Sequence, residues 1–234
     1  MLQFFHTGSL TKYSPDTISA ADSSTAPASS DIYGGEREKL EEILRLLLSR
    51  VDEIRDVFRA AEDDNDPVEH CLGRIKSDES MREKCRRNNL PETAASALQE
   101  IHDAIGIRVV CAFLNDVYMI RDRLLSYDDI ELIREKDYIR HAKPNGYRSL
   151  HLIVRIEGRY YAEFQLRTIS MDTWAALDHQ LQYKKQLGEN TALIVEELRR
   201  CANELASTDV SMQTIRDMIM EANGVENSSG GGHA

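Results

Sequence analysis

Cysteine is scarce in this 234-residue chain: four residues at positions 71, 85, 111 and 201, with no Cys-x-x-Cys pair and no His/Cys spacing suited to a metal. That excludes a disulfide-stapled fold and a zinc-thiolate module, and leaves reduced, partly buried thiols of a cytoplasmic protein. Basic charge is short too, with 29 Lys and Arg against 40 Asp and Glu, for a formal net charge of −11. A chain this acidic is no general binder of nucleic acid or anionic membrane, though it can still hold a local basic pocket. No apolar run approaches the length of a membrane span, and Met1-Leu2-Gln3-Phe4-Phe5-His6 has neither a basic n-region nor a long enough apolar stretch for a signal peptide. Internal repeats are absent. With 41% hydrophobic residues, the expectation is a soluble cytoplasmic protein with one sizeable core.

What is present divides into four parts. Residues 7 to 31 are rich in Ser, Thr, Ala and Asp and poor in large apolar side chains, so 1–33 is expected to be a disordered arm. Residues 34–187 carry mixed α and β signals, 188–223 two helical segments, and 224–234 a Ser/Gly-rich flexible tail. Leu40, Ile43, Leu44, Leu47, Val51, Ile54 and Phe58 recur at helical spacing. Pro91 at a first turn predicts a helix over Glu92 to Ile101. Ile107 to Phe113 reads as a buried strand, Asp116 to Leu125 as a helix and Ile130 to Ile133 as a strand. Ser170 is expected to cap a helix reaching about Lys185, with further helices over Thr191 to Ala206 and Asp209 to Ala222.

The most informative stretch runs from Lys143-Pro144-Asn145-Gly146-Tyr147-Arg148-Ser149-Leu150-His151 to Glu163-Phe164-Gln165-Leu166-Arg167-Thr168. Strand-forming residues flank Glu157-Gly158-Arg159, which supplies a Gly-centred hairpin turn. Folded symmetrically about Gly158, the hairpin sets His151 across from Gln165 and Ser149 across from Arg167. Side chains alternate between faces along a strand. Leu150, Leu152, Val154, Ala162, Phe164 and Leu166 therefore share a core face. Tyr147, Ser149, His151, Glu163, Gln165 and Arg167 share the other, with Ile153 its main apolar member. By alternation alone that second face could be plain solvated sheet; a phenol, imidazole, carboxylate, amide and guanidinium gathered on it favour a site.

Two further signals accompany it. Arg74, Lys76, Arg82, Lys84, Arg86 and Arg87 crowd into one short segment. They form either a solvated face laced with ion pairs or a grip on polyphosphate. Arg74 and Lys76 alternate like strand residues, and Lys84 and Arg87 lie three apart on a helix, so the cations converge. Asp103 stands just before the apolar run and, with Glu163, would suit Mg²⁺, which takes one or two carboxylates and completes its shell with water and phosphate oxygens. As a carboxylate on the ligand face, Glu163 is expected to add little to stability.

Taken in order, Gly73-Arg74-Ile75-Lys76, Asp103 to Arg108, Arg134-Glu135-Lys136-Asp137-Tyr138, Lys143 to His151, Glu163 to Thr168 and Met171 to His179 resemble the synthetase domain of the RelA/SpoT homologues, and by size the stand-alone small alarmone synthetases. The resemblance covers about residues 40 to 220. Two departures stand out: Asp103-Ala104-Ile105-Gly106 where the family has Asp-Ile-Ala-Gly, and Asp178 where it has Glu. The resemblance implies an α+β, nucleotidyltransferase-like domain with a central, mainly antiparallel mixed sheet flanked by helices, and C-terminal helices that assemble subunits, commonly into tetramers. It implies pyrophosphate transfer from ATP to the 3′-hydroxyl of GDP or GTP, giving AMP and ppGpp or pppGpp, with no stable nucleic-acid partner. Arg74, Lys76, Lys84 and Arg87 would hold ATP phosphates, and Arg74 and Arg108 would sandwich adenine. Asp103 and Glu163 would hold Mg²⁺, with Glu163 also the general base. Tyr147 would stack on guanine, and Lys143, Asn145, Ser149, His151, Gln165 and Arg167 would surround the acceptor.

Three functions compete: a toxic relative that pyrophosphorylates the tRNA 3′ end, an alarmone hydrolase, and a degenerate nucleotide-binding module. No clear basic patch outside the site supports the first. The second needs a His-Asp pair, and none stands between residues 32 and 90. Possession of both Asp103 and Glu163 argues against the third.

Overall fold

The computed structural model describes residues 31–61, 66–183 and 191–229; the expected arm over residues 1–30 and the last tail residues, 230–234, lie outside them. Ile32 and Tyr33, assigned from sequence to the arm, belong instead to the core. Both are buried, the Ile32 amide donates to Asp78 (2.6 Å) and the Tyr33 hydroxyl donates to the Lys76 carbonyl (2.8 Å).

The described elements are α1 (Arg37–Ala61), β1 (Val68–Ile75), α2 (Asp78–Arg87), β2 (Ile105–Cys111), α3 (Leu114–Leu124), β3 (Ile130–Asp137), β4 (Leu150–Ile156), β5 (Tyr160–Thr168), α4 (Ile169–Tyr183) and α5 (Thr191–Ser229). Five strands form one sheet in the order β1-β2-β5-β4-β3, with β2 and β5 parallel and every other pair antiparallel. This is the mainly antiparallel mixed sheet of an α+β fold. No helix among the described residues is long and apolar enough to cross a membrane.

Register follows the alternation. Leu150 pairs with Leu166, His151 with Gln165, Leu152 with Phe164 and Ile153 with Glu163. The turn is tight because Glu157 (φ 52°) and Gly158 (φ 67°) both take left-handed backbone, which glycine adopts without steric cost. Leu150, Leu152, Val154, Ala162, Phe164 and Leu166 are fully buried with Ile105, Ile107 and Val109 of β2. A one-residue slip would expose that set and bury the charged one, so register and site are specified together. Ladder pairing stops at Leu150. Ser149 precedes β4, and its hydroxyl donates to the Leu166 carbonyl (3.1 Å).

The stripe read from α1 packs against this apolar face: Leu40, Ile43, Leu47, Val51, Ile54 and Phe58 are buried. Each such side chain withdrawn from water contributes about 1.5–3 kcal/mol. Leu44 sits over Gly73, where a Cβ would lie 2.7 Å from its Cδ1. Glycine there lets α1 approach β1 closely.

Four local expectations change. The Glu92 to Ile101 helix shrinks to a short segment with a π-helical turn over Ser96–Glu100. β3 extends to Asp137, because its pairing with β4 continues four residues past Ile133. The cap of α4 is Thr168 and not Ser170: its hydroxyl accepts from the Met171 amide (3.2 Å) while donating to Asp209 (2.6 Å). The two C-terminal helices are one, α5, helical to Ser229 and so into the expected tail. Its inward stripe turns polar along its length, from Ala202 to Asp209, Gln213 and Arg216, the last paired with buried Asp116 (2.5 Å). Val210, Met212, Ile215, Met218 and Ile219 face outward.

Candidate functional site

Strand pairing converts the linear motifs into a grid on the face of the sheet opposite the apolar one. Cross-strand partners give one row of Arg74, Gly106, Glu163, Ile153 and Arg134, and a second of Leu72, Arg108, Gln165, His151 and Lys136. A third row contains His70, Val110 and Arg167, with Ser149 at its end. Over this face opens a cleft of about 540 Å³ lined by Lys84, Asp103, Arg134, Lys136, Tyr138, Lys143, His151 and Glu163 among others. Nothing lies within 4 Å of a Cβ built on Gly106, so the middle of the first row is open floor beside Arg74 and Glu163.

The two predicted acids share this cleft. Asp103 lies on the turn entering β2, and its Oδ2 is held by both Lys76 and Lys84 (2.5 Å for Lys84). Its Oδ1 is buried and has no hydrogen-bond partner among the described residues, a lone pair on a hard oxygen with nothing to satisfy it. Glu163 Oε1 accepts from His151 Nδ1 (3.2 Å) and Oε2 from Gln165 Nε2 (2.9 Å). Burial pushes the Glu163 carboxyl up, but hydrogen bonding and charge from His151, the Gln165 amide and the Lys84 charge outweigh it and bring its pKa down to about 2. Glu163 is therefore held as an anion by its neighbours. No cluster of three or more His, Cys, Asp or Glu side chains suited to a metal occurs among the described residues. A metal here would rest on two carboxylates and draw its other ligands from water and substrate, which fits Mg²⁺.

The predicted donor-side cations behave differently from one another. Arg74 is exposed and makes no ion pair or hydrogen bond among the described residues. Lys76 is tied to Asp103. Arg87 sits one turn beyond Lys84 with its side chain 67% exposed and only Glu83 beside it (3.9 Å), outside the cleft lining. Arg108 reaches Asp172 (3.3 Å); burial and the charge of Arg167 lower its pKa.

The acceptor-side motif forms a turn in which the Gly146 amide donates to the Lys143 carbonyl (2.8 Å) and Asn145 Oδ1 accepts from the Tyr147 amide (3.2 Å). The Lys143 ammonium lies 4.6 Å from the ring centroids of Tyr138 and Tyr147 alike. The Tyr147 hydroxyl is pinned by His151 Nε2 and Arg167 Nη2, each at 2.8 Å. Arg167 also donates to Gln165 Oε1 (2.8 Å).

Two predicted acceptor contacts need correction. Ser149 is fully buried with its hydroxyl satisfied by Leu166, because the incoming loop covers the end of β4; it belongs to the frame of the hairpin. Arg167 is only 4% exposed and donates to the Tyr147 hydroxyl and Gln165 Oε1, beneath the open face. Arg134, Lys136 and Tyr138, which no spacing singled out within their motif, line the cleft, and Asp172 reaches Arg108 and Arg167. His102 also lines the cleft and stacks on Tyr161 with centroids 3.9 Å apart.

Residues 73–188 match the family described as "Region found in RelA / SpoT proteins". Two relatives from Bacillus subtilis (strain 168) are similar over most of the chain. GTP pyrophosphokinase YwaC is 37% identical over 66% of this chain and 77% of its own length. GTP pyrophosphokinase YjbM is 33% identical over 69% and 78% respectively. Among solved structures, small alarmone synthetase 1 from Bacillus subtilis bound to its product pppGpp aligns with a TM-score of 0.67 at 29% identity, covering 77% of this chain and 94% of that one. Small alarmone synthetase 2 from the same organism gives 0.64 at 32% identity, covering 78% and 98%.

Proposed function

We propose, for a chain that belongs to the RelA/SpoT family, the reaction of a small alarmone synthetase: a GTP diphosphokinase moving pyrophosphate from ATP to the 3′-hydroxyl of GDP or GTP. The observation that carries this reading is the convergence of Asp103 and Glu163 with Lys84, Arg134, Lys136 and Lys143 on one cleft of an otherwise acidic chain. The acceptor 3′-oxygen attacks the β-phosphorus of ATP, a new P–O bond forms, and the bond from that phosphorus to the α,β-bridging oxygen breaks. AMP leaves with the bridging oxygen, and the hydroxyl proton passes to Glu163.

Such transfers depend on position and charge more than on covalent chemistry. Arg74 and Arg108 flank the open floor at Gly106 and would hold the adenine end of ATP. Lys76 and Lys84 would pass from Asp103 to the incoming phosphates, freeing both Asp103 oxygens. Asp103 and Glu163 would then hold Mg²⁺, which supplies neutralisation of phosphate charge. Tyr147, clamped by His151 and Arg167, offers its ring to guanine, while Lys143, Asn145 and Gln165 surround the acceptor. Glu163, an anion oriented by His151 and Gln165, would supply negative charge beside the acceptor and accept the 3′-hydroxyl proton.

The outward apolar residues of α5 support assembly with further copies of the chain, a tetramer being the arrangement the resemblance implies, and the cytoplasm is the expected compartment. The test is incubation of purified protein and Mg²⁺ with ATP labelled in its β and γ phosphates and, separately, GDP, GTP and tRNA. Label recovered in a guanosine 3′-diphosphate together with AMP is expected, with loss of turnover on chelation. Label transferred only to tRNA, or released without an acceptor, would overturn the reading.

A further inference from the structure

Asp172, in the first turn of α4, reaches over the third row of the grid with no role yet given to it. Its Oδ1 lies 3.1 Å from Arg167 Nη1 and 3.3 Å from Arg108 Nη1, and its Oδ2 lies 3.8 Å from His70 Nε2. One carboxylate oxygen is thus shared by guanidiniums from two neighbouring parallel strands. Arg108 pairs in register with Gln165 and Val110 with Arg167, so the two arginines are diagonal neighbours on one face. Like charges so placed repel, and the lowered pKa of Arg108 has the Arg167 charge among its causes. Both Nε atoms are buried and without hydrogen-bond partners, so neither guanidinium has an alternative anchor on that edge.

We propose that Asp172 is a positioning residue that ties the donor half of the site, at Arg108, to the acceptor half, at Arg167. The inference rests on the donor and acceptor assignments above. Arg167 fixes the Tyr147 hydroxyl and Gln165, so its placement sets the acceptor platform. Arg108 belongs to the donor side. Each arginine supports the binding surface of one nucleotide, so loss of the carboxylate they share loosens both surfaces together. The Arg108 arm is open (side chain 40% exposed) and contributes little to folding, whereas the Arg167 arm is buried (5%), so Asp172→Asn is also expected to lower Tm.

The test is steady-state kinetics on the full chain, varying each nucleotide with the other saturating. Asp172→Asn keeps the shape and removes the charge. It should raise KM for ATP and for the guanosine acceptor together, each about tenfold, the scale of one charge-assisted hydrogen bond. Change in kcat should stay within about threefold. Asp172→Glu, which keeps the charge, should raise both values in parallel by only about two- to threefold; it carries the same test if the Asn variant folds poorly. Arg108→Ala alone should raise KM for ATP, and in that background Asp172→Asn should raise only the acceptor KM. A change in one KM alone in the Asp172 variants, or a fall in kcat with both unchanged, would overturn the bridge while leaving Arg108 as a donor residue. An Arg108→Ala enzyme with the parent KM for ATP would overturn the donor assignment, and the bridge with it.

Discussion

Replacing Glu163 with Gln separates the two things this carboxylate does. In the folded chain its pKa falls from 4.5 to about 2, equivalent to roughly 3 kcal/mol favouring the ionised form. Because the folded pKa is depressed, that stabilisation is fully present above about pH 4.5 and is lost as the pH falls towards 2. Gln behaves as a permanently neutral carboxyl. Its oxygen can still accept from His151, but its amide group meets the Gln165 amide, which cannot flip freely because Arg167 holds its oxygen (2.8 Å). The loss should therefore be about 1–3 kcal/mol, a fall in Tm of roughly 3–10 °C for a domain of this size. The difference from the parent should narrow when unfolding is followed from pH 7 down to pH 3. Turnover should drop by on the order of a hundredfold or more, the scale for losing a positioned acid–base group. Circular dichroism melts and product separation measure both. Parent turnover in a folded Glu163→Gln protein would remove the residue from the mechanism. A Tm unchanged at both pH values would refute the electrostatic argument.

Arg74→Ala should leave Tm within about 1 °C, since a side chain exposed and unpaired contributes little, and should raise KM for ATP. Lys76→Ala should raise KM for ATP and also lower Tm measurably, because Asp103 keeps only Lys84. Gly146→Ala should destabilise by about 2 kcal/mol or more and raise the acceptor KM above the ATP KM, since φ is +94° and the new Cβ would meet Ala202 Cβ at 2.6 Å; thermal melts and kinetics check it. Ile215→Glu with Ile219→Glu should reduce the assembled mass seen by light scattering without lowering helix content, because both side chains face outward.

The alternation of Leu150 to Val154 and Ala162 to Leu166 allowed one register that buries apolar groups and exposes polar ones, and the chain adopts it. The α1 stripe was equally legible, for the same burial reason. Boundaries set by tertiary contact were not. Ile32 and Tyr33 look like the end of a polar arm until Asp78 and the Lys76 carbonyl satisfy them. A single helix replaces two C-terminal segments because Asp209, Gln213 and Arg216 find partners in the Thr168 hydroxyl, the Asn115 backbone amide and the Asp116 carboxylate. A polar stripe in sequence gives no hint that such partners exist.

The same distinction runs through the site. Parity along two strands assigns a side chain to a face, and that placed Tyr147, His151, Glu163 and Gln165 together without knowledge of the rest of the chain. Parity does not report depth. Ser149 and Arg167 share the face yet lie beneath it, one closed by a carbonyl acceptor and the other surrounded by Tyr147, Gln165 and Asp172. Nor does parity report what approaches from another element. Lys76 and Lys84 converge on Asp103 because the turn into β2 runs beside the end of β1, where the Lys76 amide donates to the Ala104 carbonyl (2.9 Å). Residue types that suit a chemistry are thus visible along one strand, whereas the neutralisation that lets Lys84, Arg134, Lys136 and Lys143 share one cleft with Asp103 and Glu163 arises only between elements. The groups that balance charge, Asp172 above all, are for that reason the hardest to read from sequence and the most direct to test by mutation.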